Sequence, residues 1–234
     1  MEIGAYCQCY KQPIALERSL QLFRNSYPTG TIVLVSDNGC SFSNMAKKYN
    51  AYFFHEKTNT RMGWNKHERA GFEEFFNRLR KYVPLIKEEY FMLLEEDVHV
   101  LNRITEPFLG TANANGYNKI DKNFLKKFKG FEKLEDDITY IVQGGSIWHK
   151  EKFLKMINAI EVVNYLQDVF ETDQGSVFDF FISVLCWMMN EPIYKLRCHK
   201  ELYHDQVSSL DGVSILNQVK HFYTDDPVDM SVTY

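Results

Sequence analysis

Tyr90-Phe91-Met92-Leu93-Leu94-Glu95-Glu96-Asp97-Val98 is the stretch on which the architecture turns. Its five leading apolar residues are the right length for a strand. Their continuity, with no polar alternation, means that both faces of that strand are buried. The run stops abruptly on three carboxylates. Ligands of open α/β sheets bind beyond the carboxyl ends of the strands, so the position of these acids is as informative as their identity. Adjacent carboxylates repel one another, and holding them together without a counter-charge is costly. A divalent cation removes that cost, and oxygen-only donors suit Mn2+ or Mg2+ better than Zn2+. The plainer alternative is a strand that runs out into a solvated acidic turn. The buried run before the acids, and its place in the chain, favour the metal.

Working back toward the amino terminus, strand and helix signals alternate. Ile3 to Cys7 is a short apolar run ended by Gln8, and Pro13 opens a helix with Leu16, Leu20 and Phe23 at helical spacing. Tyr27-Pro28-Thr29-Gly30 is a turn, Thr31 to Val35 a second buried strand, and Ser36-Asp37-Asn38-Gly39 its close. Ser41 with Asn44 to Tyr49 predicts a second helix, and Ala51 to Phe54 a third strand. A polar loop from His55 to Gly63 leads to an amphipathic helix carrying Phe72, Phe75, Phe76, Leu79 and Val83 on one stripe. Tyr90 to Leu94 is then the fourth strand of a β-α-β-α-β-α-β series. That order predicts an α/β fold with a mostly parallel central sheet flanked by helices.

Toward the carboxyl terminus the periodicity weakens. Residues 109 to 137, rich in Asn, Lys and Gly, read as a long surface excursion beside the site. Ile138 to Val142 is a further strand, broken by Gly144-Gly145. Phe153, Ile157 and Ile160 mark one helix, and Val177, Phe180, Phe181, Val184, Leu185 and Met188 a stronger one. Residues 225 to 234 are polar and either fray or lead into a further domain.

The 234 residues fit a single domain with a sizeable core, and the aromatic residues, 15% of the chain, are spread as core residues are. Net charge is −4 with no dense Lys/Arg block, which gives no support to broad electrostatic attraction to nucleic acid and leaves room for a local basic site for a diphosphate. The first residues lack a signal-peptide pattern, and no apolar run approaches the roughly 20 residues of a membrane span. Five cysteines without framework spacing read as reduced thiols of a cytosol-like compartment. Cys7 and Cys9 share a strand face and read as packing residues, since no second pair completes a zinc site.

The apolar strand ending in Glu95-Glu96-Asp97 resembles the metal motif of nucleotide-sugar glycosyltransferases of the GT-A (Rossmann-like) fold, an Asp-x-Asp with acidic variants. Ala5 to Pro13 resembles that family's first strand and donor loop, and Ile32 to Gly39 its second strand with the acidic turn that meets the nucleoside. The likeness covers residues 2 to 100 well and 138 to 190 loosely. In compactness and lack of an anchor the chain is similar to the capsid-modifying glycosyltransferases of large algal DNA viruses, whose place of action would be the host cytoplasm. The resemblance implies a nucleotide-sugar-binding half over 1–100 and an acceptor-binding half over 101–234. It implies a UDP-sugar donor, a glycan or glycoprotein acceptor, Mn2+ or Mg2+, and neither nucleic acid nor a membrane span.

Residue by residue, the resemblance puts Gln8 and Tyr10 against the uridine and Asp37, with Ser36, at the uracil ring N–H. Asp97 is the expected metal ligand. Glu95 supports metal or ribose, a role left open because this position is Glu rather than Asp. Arg61, Trp64, Lys66 and Arg69 fall in the segment that holds the donor. Physically, the three cations complement a diphosphate beside a helix start, and Trp64 is either a flat face for a base or sugar or a core plug. Gly144, Gly145 and Ser146 resemble the acceptor-side loop, though a plain turn explains them nearly as well. Trp148 and His149 border it, Trp148 reading more simply as a packed residue. Asp173 matches the general base of inverting members and equally fits a helix N-cap, with Asp179 as the fallback. His199 and His204, near Asp205, either supply a late metal ligand or are solvated. The rival readings are a nucleotidyltransferase, against which the glycine-free stretch Gln8 to Pro13 counts, and a non-catalytic nucleotide-sugar-binding module.

Overall fold

The computed structural model describes residues 1–60, 69–141, 143–171, 178–202 and 216–219. The chain begins as the alternation demands. Strand β1 (Gly4–Cys9) is followed by helix α1 (Pro13–Ser26), β2 (Ile32–Asp37), α2 (Ser43–Lys48) and β3 (Tyr52–Glu56). Helix α3 (Arg69–Tyr82) and a single 3-10 turn over Val83–Leu85 then return the chain to β4 (Tyr90–Leu93). Parallel pairing aligns Ala5 with Ile32 and Met92, and Val33 with Tyr52. The central sheet has seven strands in the order β10-β6-β9-β4-β1-β2-β3. Among them β9 (Ile147–His149) runs against its neighbours β4 and β6, and the rest run one way. A mostly parallel sheet flanked by helices is therefore what the chain builds.

Burial on both faces explains the unbroken apolar runs. Tyr6, Val33, Val35, Phe91, Leu93 and Trp148 belong to one core with Phe76 and Leu79 of α3. Ala5, Cys7, Ile32, Leu34 and Met92 belong to a second core with Leu16, Leu20 and Phe23 of α1. Neighbours along each strand thus go to opposite faces, the period-two rule applied to two apolar sides. Cys7 and Cys9 are buried thiols, and Trp148 is a core residue.

The second half departs from expectation. Within the stretch read as a surface excursion, Ala112–Ala114 forms β6, fully inside the central sheet, and Gly116–Ile120 (β7) pairs with Ile138–Ile141 (β8) as a separate ribbon. Asn113 conceals this strand in the sequence. Its side chain accepts a hydrogen bond from Leu109 N–H at 2.8 Å and donates to the Leu109 carbonyl at 3.0 Å, so a polar residue is buried without loss. After a short helix α4 (Lys122–Leu125) come α5 (Lys150–Ile157) and α6 (Ile160–Glu171), two helices where the pattern suggested one. Helix α7 (Phe178–Met188), β10 (Ile193–Lys195), β11 (His199–Leu202) and β12 (Leu216–Val219) complete the described chain. Strand β12 joins β11 in parallel and β5 (Val98–Val100) in antiparallel fashion, in a small second sheet. No helix among the described residues is long and apolar enough to cross a membrane.

Candidate active site

From β1 the chain steps outward to β2 and β3, then crosses back to lay β4 on the other side of β1. The connections leave in opposite directions there, which opens a crevice beyond the carboxyl ends of β1 and β4. Gln8 stands at one lip and the Glu95–Asp97 turn at the other. The turn is tightly built. Leu94 N–H donates to the Tyr6 carbonyl at 2.8 Å, and Val98 N–H to the Glu95 carbonyl at 3.1 Å. From α1, the buried Ser19 hydroxyl lies 2.9 Å from the Glu95 carbonyl and 2.8 Å from that of Val98. A solvated acidic turn would leave its side chains in water, yet Glu96 is 6% and Asp97 4% exposed.

The Gly144-Gly145-Ser146 loop closes the side of the turn. Gly145, at φ +81, donates its N–H to the Leu93 carbonyl at 2.8 Å, a left-handed position that favours glycine. Ser146 is fully buried and its hydroxyl is used internally, donating to the Gln143 carbonyl at 2.5 Å and accepting from Trp148 Nε1 at 2.7 Å. The contact with the acids comes instead from Gln143, which the sequence reading missed. Its Nε2 donates to Glu95 Oε1 at 3.1 Å, while its backbone N–H donates to Asp179 Oδ1 at 3.1 Å. A glutamine beside a Gly-Gly pair carries no signal that would single it out. Asp179 is thus tied to this loop from the first turn of α7.

Behind Gln8 lies a buried polar chain. Tyr6 O–H donates to Gln8 Oε1 at 2.8 Å, and Gln8 Nε2 donates to Thr60 Oγ1 at 2.7 Å. The Thr60 backbone N–H reaches Asp37 Oδ1 at 2.8 Å, with its hydroxyl 3.2 Å from Oδ2. Burial pushes the Tyr6 phenol well above its ordinary range, which keeps it protonated as the first donor. Arg78, reaching in from α3, donates to Asp37 Oδ1 at 2.6 Å, to Glu74 at 3.0 Å and to the Thr58 carbonyl. Both partners are interior, with side-chain exposures of 1% for Arg78 and 3% for Asp37. Asp37 therefore has one oxygen engaged by the guanidinium and the Thr60 N–H and the other within reach of the Thr60 hydroxyl. Ser36 is fully buried and donates to the Cys40 carbonyl at 2.7 Å, shaping the turn after β2. That turn lies directly on Tyr10. Cys40 N–H donates to the Tyr10 carbonyl at 2.8 Å, and a Cβ on Gly39 would fall 1.6 Å from the same oxygen.

Gln8, Asp37, Glu95 and Gly145 are thereby brought to the strand ends. Arg61, Trp64, Lys66, Asp173, His204 and Asp205 lie outside the described residues, as does the side chain of Arg69. Among the described residues no three His, Cys, Asp or Glu side chains converge as a metal cage. His199 is buried, and its Nδ1 accepts from Asn115 N–H at 3.1 Å. Strand β11 runs parallel to β12, and β12 runs against β5. The end of β11 at Leu202 therefore comes level with the turn that β5 leaves.

Among solved structures the chain is similar to the galactosyltransferase LgtC in complex with donor and acceptor sugar analogs. The TM-score is 0.58 at 12% identity, covering 93% of this chain and 87% of that one. A structure of an active-site mutant of LgtC gives a TM-score of 0.59 at 11% identity with the same coverage. No family model and no curated protein sequence matches the chain. At such identities the likeness is one of fold, and it is the GT-A architecture.

Two outcomes follow from this buried chemistry. Removing one partner of an interior ion pair strands the other, so Arg78→Ala should lower unfolding free energy by about 3–5 kcal/mol in urea titration. Two histidines set a pH dependence. Burial, with Arg18 adding to it, pushes His99 down to about 3, and burial pushes His199 down to about 4 against the Gly144 backbone. Unfolded, each titrates near 6.5, so below that pH the unfolded chain takes up protons that the folded one refuses. Stability should be fully present above about pH 6.5 and fall steadily toward pH 4. His199→Gln should flatten the decline of the urea midpoint across that window.

Proposed function

We propose that this chain is a glycosyltransferase that moves a sugar from a nucleoside-diphosphate sugar, a UDP-sugar by resemblance, onto a hydroxyl of a glycan or glycoprotein. One observation carries the reading: buried carboxylates at Glu96 and Asp97 close the crevice between β4 and β1. Their surroundings are a fold shared with an enzyme whose structure holds donor and acceptor analogs. Interior carboxylates are retained where hydrogen bonds, ion pairs or a bound cation offset their burial, and a cation is the one of these that would also serve a diphosphate.

The donor set suits Mn2+ or Mg2+ in kind, because Asp97 and Glu95 offer hard oxygen atoms. It is incomplete in number among the described residues, so the rest of the shell falls to phosphate oxygens of the donor and to residues beyond them. His204 is the histidine we assign to that task. It follows by two residues the end of β11, which runs toward Asp97. Such an ion supplies charge stabilisation for the departing diphosphate.

The chain's own residues do the rest. Gln8 and Tyr10 form the nucleoside lip, with Ser36 fixing the turn that supports Tyr10 and Asp37 anchoring the Gln8–Thr60 chain behind it. Arg61, Lys66 and Arg69 complement the diphosphate charge, and Trp64 offers a face to base or sugar. Glu95, steadied by Gln143, faces ribose or metal. Gly144, Gly145 and Ser146 set the backbone close to the transferred sugar. Asp173 takes the proton from the acceptor hydroxyl, which requires hydrogen-bond reach of about 3 Å.

A thermal-shift screen of UDP- and GDP-sugars with and without Mn2+, followed by assay of nucleotide release, tests the reading. Metal-dependent stabilisation and release are expected. Donor binding with no turnover would favour a binding module instead. Asp97→Ala should abolish both signals while leaving the circular dichroism spectrum intact, and full activity in that variant removes the metal assignment. Asp173→Asn should keep donor affinity while turnover falls on the order of 10²-fold. Unchanged turnover would leave Asp173 a helix cap.

A further inference from the structure

A cavity of about 840 Å³ opens between β8, the segment before it, and the carboxyl end of α7. It belongs to none of the groups assigned above, yet it shares a helix with them. Asp179 at the start of α7 bonds Gln143, and Trp187 near its end lines the cavity. Eight residues of helix separate the two, about 12 Å along the axis. A short oligosaccharide spans that distance.

One wall of the cavity is the capped end of α7. Asn190, at φ +53, donates its N–H to the Trp187 carbonyl at 3.0 Å, and Glu191 donates to that of Cys186 at 2.8 Å. This double closure of a helix end fixes the residues around it. Trp187 is 38% exposed, and its ring stacks on the fully buried Phe131, centroids 5.1 Å apart and planes 20° apart. One face of the indole is backed, and the remaining surface is a flat apolar platform. Hydrogen-bond acceptors surround it. Asp137 is held through Lys122 N–H at 3.0 Å, Glu191 accepts from the Thr111 hydroxyl, and Asp136 and Asn190 complete the rim. Four carboxylates face one lysine in the lining, which repels anionic ligands such as nucleotides and sulfated or sialylated sugars.

We propose that this cavity is a subsite for a neutral oligosaccharide, the far end of the acceptor, stacked on Trp187 and hydrogen-bonded through its hydroxyls to Asp136, Asp137, Asn190 and Glu191. A flat, backed aromatic surface with carboxylate and amide acceptors along its rim matches a pyranose, whose faces are apolar and whose edges are hydroxyls. The role as acceptor subsite rests on the glycosyltransferase reading. Binding of the glycan does not.

The test uses the full chain on an array of galactose-, glucose-, mannose- and xylose-terminated neutral tri- and tetrasaccharides, with sialylated and sulfated sugars and oligolysine as comparators. Retention of a neutral sugar is expected, with Trp187→Ala weakening it by about tenfold or more. Trp187→Phe should retain most of it. Asp136→Lys, a change at an exposed rim position, guards against a folding defect and should weaken it too. A parallel UDP-sugar thermal shift with Mn2+ should be the same in every variant. Equal retention by Trp187→Ala and Asp136→Lys overturns the subsite, as does failure to retain any neutral sugar. Trp187-dependent binding of oligolysine alone would make the cavity a basic-peptide site and also overturn it. Glycan retention as expected without any nucleotide shift would sink the enzyme reading and leave the cavity standing.

Discussion

The arrangement of this molecule depends on a change of direction. After two parallel strands laid outward from β1, the chain returns past its starting point and places β4 on the other flank. Helices that connect parallel strands leave room at the strand ends only where the direction of winding reverses. The residues following β1 and β4 therefore face each other across a gap that no connection fills. The Glu95–Asp97 turn, the Gln143–Ser146 loop and the Gln8–Thr60–Asp37 chain all converge on that gap or support it.

A buried ion pair holds one side of it. Asp37 ends β2 and Arg78 comes from α3, so their contact ties the sheet to a helix that precedes β4. Pairs of this kind add little net stability but are costly to break, which makes them good at fixing one arrangement among several. Here the fixed object is a line of donors running from Tyr6 through Gln8 and Thr60 into the carboxylate. Its polarity is set by the charge at its end, since a carboxylate can only accept.

Much of the fold was legible because its physical cause is local. Unbroken apolar runs such as Ile32 to Val35 and Phe91 to Leu93 have one explanation in a chain that alternates strand and helix, and the acids after β4 marked which strand ends matter. The failures have equally specific causes. Strand β6 was hidden because Asn113 satisfies its amide on Leu109, a bargain between residues that no apolar pattern records. The engagement of Asp37 by Arg78 links positions 41 residues apart, and the role of Gln143 depends on a loop returning to β4. Ser36 and Ser146 looked available as polar residues in turns, whereas turns consume hydroxyls to satisfy their own backbone.

The Ser19 hydroxyl links α1 to the far lip of the gap. It reaches the acidic turn from α1, the helix that grows out of the loop after β1. Both lips of the gap are thus parts of one lever, and neither swings without the other. The freedom of that corner is given up once, as the chain folds. That corner of the fold is held in one arrangement by the same helix that begins beside it.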